Sequence, residues 1–375
     1  MVAILPHAVG AQDPPGEPWS VSPTPSLELG QLEGAAPYLF NRVFNAIKLS
    51  DGRIVVANGD PLEMRIFLAD GVFQQAVGRK GRGPGEFDLI SSLAEVSVDT
   101  LRVQNTRDGF YYYHLPDFSL ARTDRGPRAS SATPPAGSWE PFGAERFLFS
   151  GRASSPVLSP LGTERPRFQL MIWHARSART DTLGDFLGSE VYRDRNNSVL
   201  PPQPVAYGSS TIFAAGADHV FVGDNSEPQI SVFAPEGNRL ASIPVRTPRL
   251  PVTDEDERAF RAAMENGFLF ETFPAEFHST LKDQVERTPI PEYHPYFVDM
   301  HVDRAGLLWV QHPAHASASS AAWSIYTPTG ELVATAELPR FERVLDIGLD
   351  YILGRHLGEY DVEYVHLHTL TRGPG

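Results

Sequence analysis

The chain has 375 residues, 41% of them hydrophobic and 10% aromatic, a formal net charge of -14 and no cysteine. An acidic chain with no clustered Lys and Arg lacks the phosphate-neutralising surface that nucleic acid requires, and without cysteine there are no disulfides, thiolate metal sites or cysteine-linked lipid anchors. No apolar run approaches the roughly 18 residues of a membrane-spanning helix.

The N-terminus opens with a short apolar stretch, Val2 to Leu5, and places the small residues Val9, Gly10 and Ala11 before Gln12, where a signal peptidase would cut. Residues 1–25 therefore read as the remnant of an export signal followed by a Pro-rich linker, QDPPGEPWSVSPTP, and imply a periplasmic or secreted protein. Residues 26–372 read as one domain. Its 33 Pro and 31 Gly (whole-chain counts) fit a protein made of turns rather than helices.

Two hairpin signatures recur along that domain. One is IKLSDGRIVVAN from Ile47, MHVDRAGLLWVQ from Met300 and, in looser form, FAAGADHVFVGDN from Phe213; the other is IFLADGVFQQAV from Ile66, SVFAPEGNRLASIPV from Ser231 and SIYTPTGELVATAEL from Ser324. In each, alternating apolar residues flank a turn holding Gly with Asp, Pro or Thr, the composition of a tight hairpin. Self-similarity of this kind points to an array of small antiparallel sheets. Apolar second strands fall at Ile54 to Ala57, Leu101 to Gln104, Phe147 to Ser150, Val220 to Gly223, Leu308 to Gln311 and Tyr351 to Gly354. The expected fold is thus all-β, a six-bladed β-propeller with blades at Arg42 to Val77, Leu93 to Thr123, Ser138 to Phe186, Ser209 to Val245, Tyr296 to Ala336 and Arg343 to Leu370.

The last of these offers only three strands, and an open sheet edge invites aggregation. Ser26 to Leu32, SLELGQL, has strand alternation and is expected to add the fourth strand, closing the last blade and joining the chain ends. Between the fourth and fifth blades, residues 246–295 break the array. Thr253 followed by Asp254, Glu255 and Asp256 marks a capped helix start, and Phe260, Met264 and Phe268 give one apolar face, so a short helical insertion is expected to lie on a propeller face.

At this point the residues resemble a family. GRKGRGPGEF, Gly78 to Phe87, is similar to the glycine-rich connector of NHL-type repeats in bacterial six-bladed propellers. FVDMHVDRAGLLWV from Phe297 resembles the start of such a blade, and VLDIGLDYILGRHLGEYDVEYVHLHTL resembles the closing one. The likeness covers most of Ser26 to Leu370 and is carried by the first, fifth and sixth blades. It implies a scaffold without one activity, since members include protein-binding modules, lyases and lactone hydrolases.

Four of the twelve histidines, His294, His301, His312 and His315, fall within 22 residues of the fifth blade. His294, His312 and His315 should share one face, where neutral imidazoles can hold zinc or a similar divalent ion; His301 should sit toward the other end of its strand. The same face collects Asp60, Asn105, Arg107, Asp224, Arg355 and His356 from other blades, the mixture of donors and acceptors that a ligand site uses for orientation. Gly78, Gly81, Gly83 and Gly85 do not make a phosphate cradle, because no helix and no Lys-Ser/Thr follow. GFYYYH, Gly109 to His114, reads as packing, and His366 and His368 as surface residues on one face of the last strand.

The functional expectation is a monomeric, exported propeller binding a protein, peptide or glycan through the loop-rich face around its channel. The alternative is a lactonase-like hydrolase or lyase dependent on a divalent metal, with His294, His312 and His315 beside acids such as Asp60 and Asp224. A purely structural subunit is the third reading.

Overall fold

The computed structural model describes residues 17–105, 109–126, 135–143, 145–152, 161–194, 201–216, 218–265, 270 and 273–373. Its elements are overwhelmingly strands, and the recurring sequence signatures explain them. Five hairpins share one plan of two backbone hydrogen bonds across a short turn, at Leu49/Arg53, Leu68/Val72, Ala234/Asn238, Asp303/Leu307 and Thr327/Glu331. The fourth residue of each turn is Gly; Gly52 at φ 91° and Gly306 at φ 82° adopt the left-handed conformation that this turn requires and that a side chain resists. Asp51 and Asp303 accept backbone N–H groups from inside their own turns, which fixes the hairpins locally.

Four separate four-stranded antiparallel sheets follow, built from strands between residues 45 and 77, 90 and 124, 135 and 187, and 211 and 244; in the third, Gly162–Glu164 leaves to pair with Val191–Arg193 in a small sheet of its own. The rest of the main strands form one nine-stranded sheet. Its first half holds Asp299–Val302, Leu308–Gln311, Ser320–Tyr326 and Leu332–Pro339; its second holds Arg343–Ile347, Tyr351–Leu357 and Glu363–Thr371. The innermost strands of successive sheets run beside one another, so that Asn45–Lys48 touches both Ile90–Ser97 and Arg343–Ile347. This is a propeller-like arrangement of small sheets around an axis. Between the sheets lie the apolar clusters, such as Val55, Ile66, Leu101 and Tyr111, or Phe221, Ile230, Phe297 and Leu308.

The N-terminus joins the two halves of the large sheet. Leu27–Leu29 pairs antiparallel with Leu367 to Val365, as the alternation of Ser26 to Leu32 led one to expect. Glu17–Val21, which the sequence placed in a linker, is a strand: Glu17 to Trp19 run parallel to Ala334 to Ala336, and Ser20 and Val21 pair with Thr371 and Leu370. The reason is Trp19. It packs on Trp309 at 5.7 Å between ring centres, with Trp309 on Trp323 beyond, and Arg372 lies over its other side. The fully buried carboxylate of Asp303 receives the Trp309 indole N–H at 3.0 Å and Arg372 at 2.9 Å, joining hairpin, core and C-terminal strand.

Helices α1 (Asp254–Glu265) and α2 (His278–Arg287) stand between Arg239–Pro244 and Asp299–Val302. They pack on each other and on residues 194 and 201–207: Arg287 pairs with Asp194, Gln284 donates to the Pro201 carbonyl, and the Tyr207 hydroxyl donates to the Asp256 carbonyl. Phe260 faces Tyr207, while Phe268 lies outside the described residues. The Gly78 to Phe87 connector is held from within, since the Glu86 carboxylate takes the N–H groups of Arg82 and Gly83 and the Phe87 ring is fully buried.

Truncating Trp19 to Ala should cost about 3–5 kcal/mol, the range for deleting a large buried aromatic. Urea denaturation followed by tryptophan fluorescence measures it; a loss under about 1 kcal/mol, the level of a surface change, would show that Glu17–Val21 does not carry the closure.

Candidate functional site

The inner strands enclose a cavity of about 320 Å³ on the axis, lined from Asn45–Lys48, Ile90–Ser97, Thr211–Ala215, Asp299–Val302 and Arg343–Ile347. Its polar lining is Asn45, Ser91, Ser92, Asp299, His301, Arg343 and Asp346. Asp299 and His301 stand two residues apart on one strand, on the same side, with the imidazole Nε2 3.0 Å from the carboxylate. Burial pushes the Asp299 carboxyl up, but the charge and hydrogen bond of His301, helped by Arg343, outweigh it and hold the group below its ordinary value. Arg343 is exposed at the start of its strand. Asp346 is already engaged, by the Tyr351 hydroxyl at 2.6 Å, by Arg304 at 2.9 Å and by the Lys48 N–H. His301, set aside on the sequence, thus lines the channel.

The expected ligand residues sit elsewhere in the interaction scheme. Asn105 is buried; its side-chain oxygen accepts the N–H groups of Asp88 and Leu89, and its nitrogen donates to Tyr111. Asn58 and Asn225 repeat the device on the Asn41 and Ser210 N–H groups. Both carboxylate oxygens of Asp224 accept from one Arg165 nitrogen, at 3.1 and 2.8 Å, tying its strand to the connection that precedes Arg167–His174. Arg355 and Glu363 together grip the backbone of Val43, the carbonyl and N–H respectively, and tie the last sheet to the first. Asp60 is exposed beside its cis Pro61, and Arg107 lies outside the described residues.

His356 belongs to a row. Its ring stacks on His366 at 4.9 Å, and His366 stands 6.0 Å from His368. His368 is 1% exposed rather than superficial, donating from Nδ1 to the Ser22 carbonyl at 2.7 Å, while His366 Nε2 lies 3.0 Å from Glu28 in an orientation that makes an ion-pair contact and no hydrogen bond. The row is therefore part of the closure: Ser22 and Glu28 come from the N-terminal segment.

Of the three candidate metal ligands, the structure brings two together and separates the third. His294 Nε2 and His315 Nδ1 stand 3.3 and 2.8 Å from Asp256 Oδ2, in the first turn of α1. His312 is instead fixed by Thr247 at 2.6 Å and Ser324 at 2.8 Å, at the place where Asn58 and Asn105 end equivalent strands. Asp256 was missed as a ligand because it lies 38 residues before His294 and was read as a helix-capping acid. It is that too: the Thr253 N–H and hydroxyl donate to its Oδ2, and its own N–H donates back to Thr253 Oγ1. Burial would raise its pKa, but the bonds from His315, Thr253 and Ala316 outweigh this and drive it far below the carboxylate range. Burial lowers His294, against the pull of Asp256.

No family model matches this chain, and no curated protein matches it in sequence. Solved structures do match in shape. A member of the DUF4221 family from Bacteroides vulgatus shares 10% identity over 94% of this chain and 99% of its own, at a TM-score of 0.51. A candidate exported protein of Bacteroides fragilis shares 14% over 95% and 96%, at 0.46, and an oligogalacturonate lyase in complex with manganese 10% over 96% and 98%, at 0.40. At such identities the likeness reaches the fold alone.

Burial pushes His312 down to about 4, and lowers His366 and His368 as well. A histidine that titrates lower folded than unfolded, where it sits near 6.5, contributes stability that is complete above about 6.5 and lost as pH falls toward 4. His312→Gln should therefore lose less urea stability between about pH 7 and 5 than the parent chain does; parallel losses would contradict the assignment.

Proposed function

We propose that this chain is a six-bladed β-propeller of NHL-like type, exported and acting as a monomer, that binds a peptide or glycan chain bearing a carboxylate at the mouth of its central channel. Counting the nine-stranded sheet as two blades fused through Glu17–Val21 supports the number six, with Leu27–Leu29 as the outer strand of the last blade. In this reading α1 and α2 are an insertion at residues 246–295 on the periphery of the fourth and fifth blades, and the location outside the cytoplasm rests on Val9, Gly10 and Ala11.

One observation carries the ligand assignment. The outer ring of polar groups (Asn105, Asp224, Arg355) is taken up by bonds to connectors and to an adjoining strand, whereas Arg343, Asp299 and His301 converge on a cavity of about 320 Å³. Arg343 offers a planar fork suited to a carboxylate, and the Asp299 carboxylate, with Asn45, Ser91 and Ser92, offers partners for hydroxyl or amide groups. A site of a few placed polar groups in a concave, partly apolar wall is what orients a small segment of a longer chain.

Isothermal titration of the purified protein against acidic oligopeptides and uronate-containing oligosaccharides tests it. Arg343→Ala should weaken binding by about 1.5–3 kcal/mol, roughly 10- to 100-fold, the worth of a hydrogen-bonded charge. Asp60→Asn, on the exposed outer turn, should leave affinity unchanged. Equal affinity in Arg343→Ala and the parent chain would remove the channel mouth as the site.

A further inference from the structure

Asp256, His294 and His315 form the one group among the described residues in which three metal-ligating side chains meet, their donor atoms all within 4.8 Å of one another. They come from three distant stretches: the first turn of α1, the segment that leads into Asp299–Val302, and the loop between Leu308–Gln311 and Ser320–Tyr326. We propose that these residues are a binding site for a borderline divalent cation of the zinc class, which fastens the helical segment to that loop.

The first argument is the crowding of one oxygen. Asp256 Oδ2 has four donors around it: the Thr253 N–H at 3.0 Å, the Thr253 hydroxyl at 2.8 Å, His315 Nδ1 at 2.8 Å and His294 Nε2 at 3.3 Å. A carboxylate oxygen has two lone pairs, fewer than the four polar groups gathered around this one, so the four are not all ordinary hydrogen bonds to it. The imidazole nitrogens are surplus as proton donors there. As lone-pair donors to a cation shared with the carboxylate they are fully used, and donor atoms gathered within 4.8 Å need only small shifts to reach the roughly 3.3–3.6 Å spacing that tetrahedral bonds of about 2.0–2.2 Å to a common zinc set.

The second argument is how the ligands are held. The remaining oxygen, Oδ1, accepts the Ala316 N–H at 2.6 Å, so both oxygens of the carboxylate are oriented by groups that are not themselves ligands. The His294 ring is clamped by Tyr207 at 4.3 Å between ring centres, and the Tyr207 hydroxyl in turn bonds the Asp256 backbone. Asp256 and His294 side chains are 0% and 2% exposed, while His315 is 37% exposed. Two ligands are rigid and dry, and the third faces water, which provides a way in and a fourth coordination position.

Chemistry selects the ion. Two imidazoles and one carboxylate suit zinc, cobalt or nickel, whereas calcium and magnesium favour sites made of oxygen alone. Such an ion also balances the buried carboxylate, which no Arg or Lys contacts through any hydrogen bond or ion pair found among the described residues. This site is separate from the channel, none of whose lining residues belongs to it.

The test uses the untagged full chain, stripped with chelator and titrated with zinc alone. Calorimetry should show one saturable equivalent, and cobalt in its place should give the visible absorption of a four- or five-coordinate ion. His315→Ala, altering the half-exposed ligand and leaving the helix cap intact, should abolish both while its circular dichroism matches the parent chain. His312→Gln should retain both. Absence of a saturable equivalent in the parent chain overturns the proposal, as does undiminished binding in His315→Ala; loss of binding in His312→Gln equal to that in His315→Ala would transfer the site away from Asp256 and overturn it as well.

Discussion

Everything in this molecule depends on the pairing of the N-terminal strands with Glu363–Thr371. A ring of twisted sheets has two ends, and each end left open would present unpaired N–H and C=O groups. Here the last strand is covered on its free side by Leu27–Leu29 and, further along, by Ser20 and Val21, so residues far apart in sequence lie in one sheet. Backbone pairing alone would be weak over so few residues. Trp19 adds the apolar burial, and Asp303 adds a fully buried carboxylate whose donors are Trp309, in Leu308–Gln311, and Arg372, just past Glu363–Thr371. Closure in turn sets the positions of Arg343 and Asp299, which open the innermost strands of the two halves that the N-terminus joins.

A second constraint governs the rim. Where a strand ends at the junction of two sheets, backbone N–H groups of the incoming connector have no ladder partner, and a buried unpaired N–H is costly. Asn58, Asn105 and Asn225 each answer that need with a side-chain oxygen. At the boundary between the last sheet and the first, Glu363 plays the part, with Arg355 taking the opposite carbonyl. Polar residues at strand ends therefore look like a binding surface in sequence and turn out to be joints between sheets.

That difference marks what was legible beforehand. Hairpins were readable because their signal is local: Gly after an Asp-containing turn, with period-two alternation on both sides, leaves one backbone solution. The closing strand was readable from the shortage of strands at the C-terminus together with SLELGQL near the start. Trp19 was not, since a strand anchored by one aromatic among prolines carries no period. The same holds at the sites. His294 and His315 were recognised from their crowding in sequence, but their partner Asp256 lies on a helix whose own cap already explains an acid at that place. His312 was grouped with them by spacing, and only the register of Leu308–Gln311 shows that it fills the strand-end position held elsewhere by Asn.

The carboxylates Asp303, Asp346, Asp299 and Asp256 differ in the chemistry of their partners. Asp303 is bonded to Arg372 and a tryptophan N–H, and Asp346 to Arg304 and a tyrosine hydroxyl. Arginine is always charged and offers only donors, so these two pairs are closed and belong to the scaffold. Asp299 and Asp256 are partnered by imidazoles instead. An imidazole nitrogen can present either a proton or a lone pair, and its charge is not permanent. A carboxylate held this way can exchange its partner for a ligand group or share it with a cation without leaving a buried charge unpaired. The chain places one such pair in the cavity lined by its inner strands and the other where its helices meet a sheet.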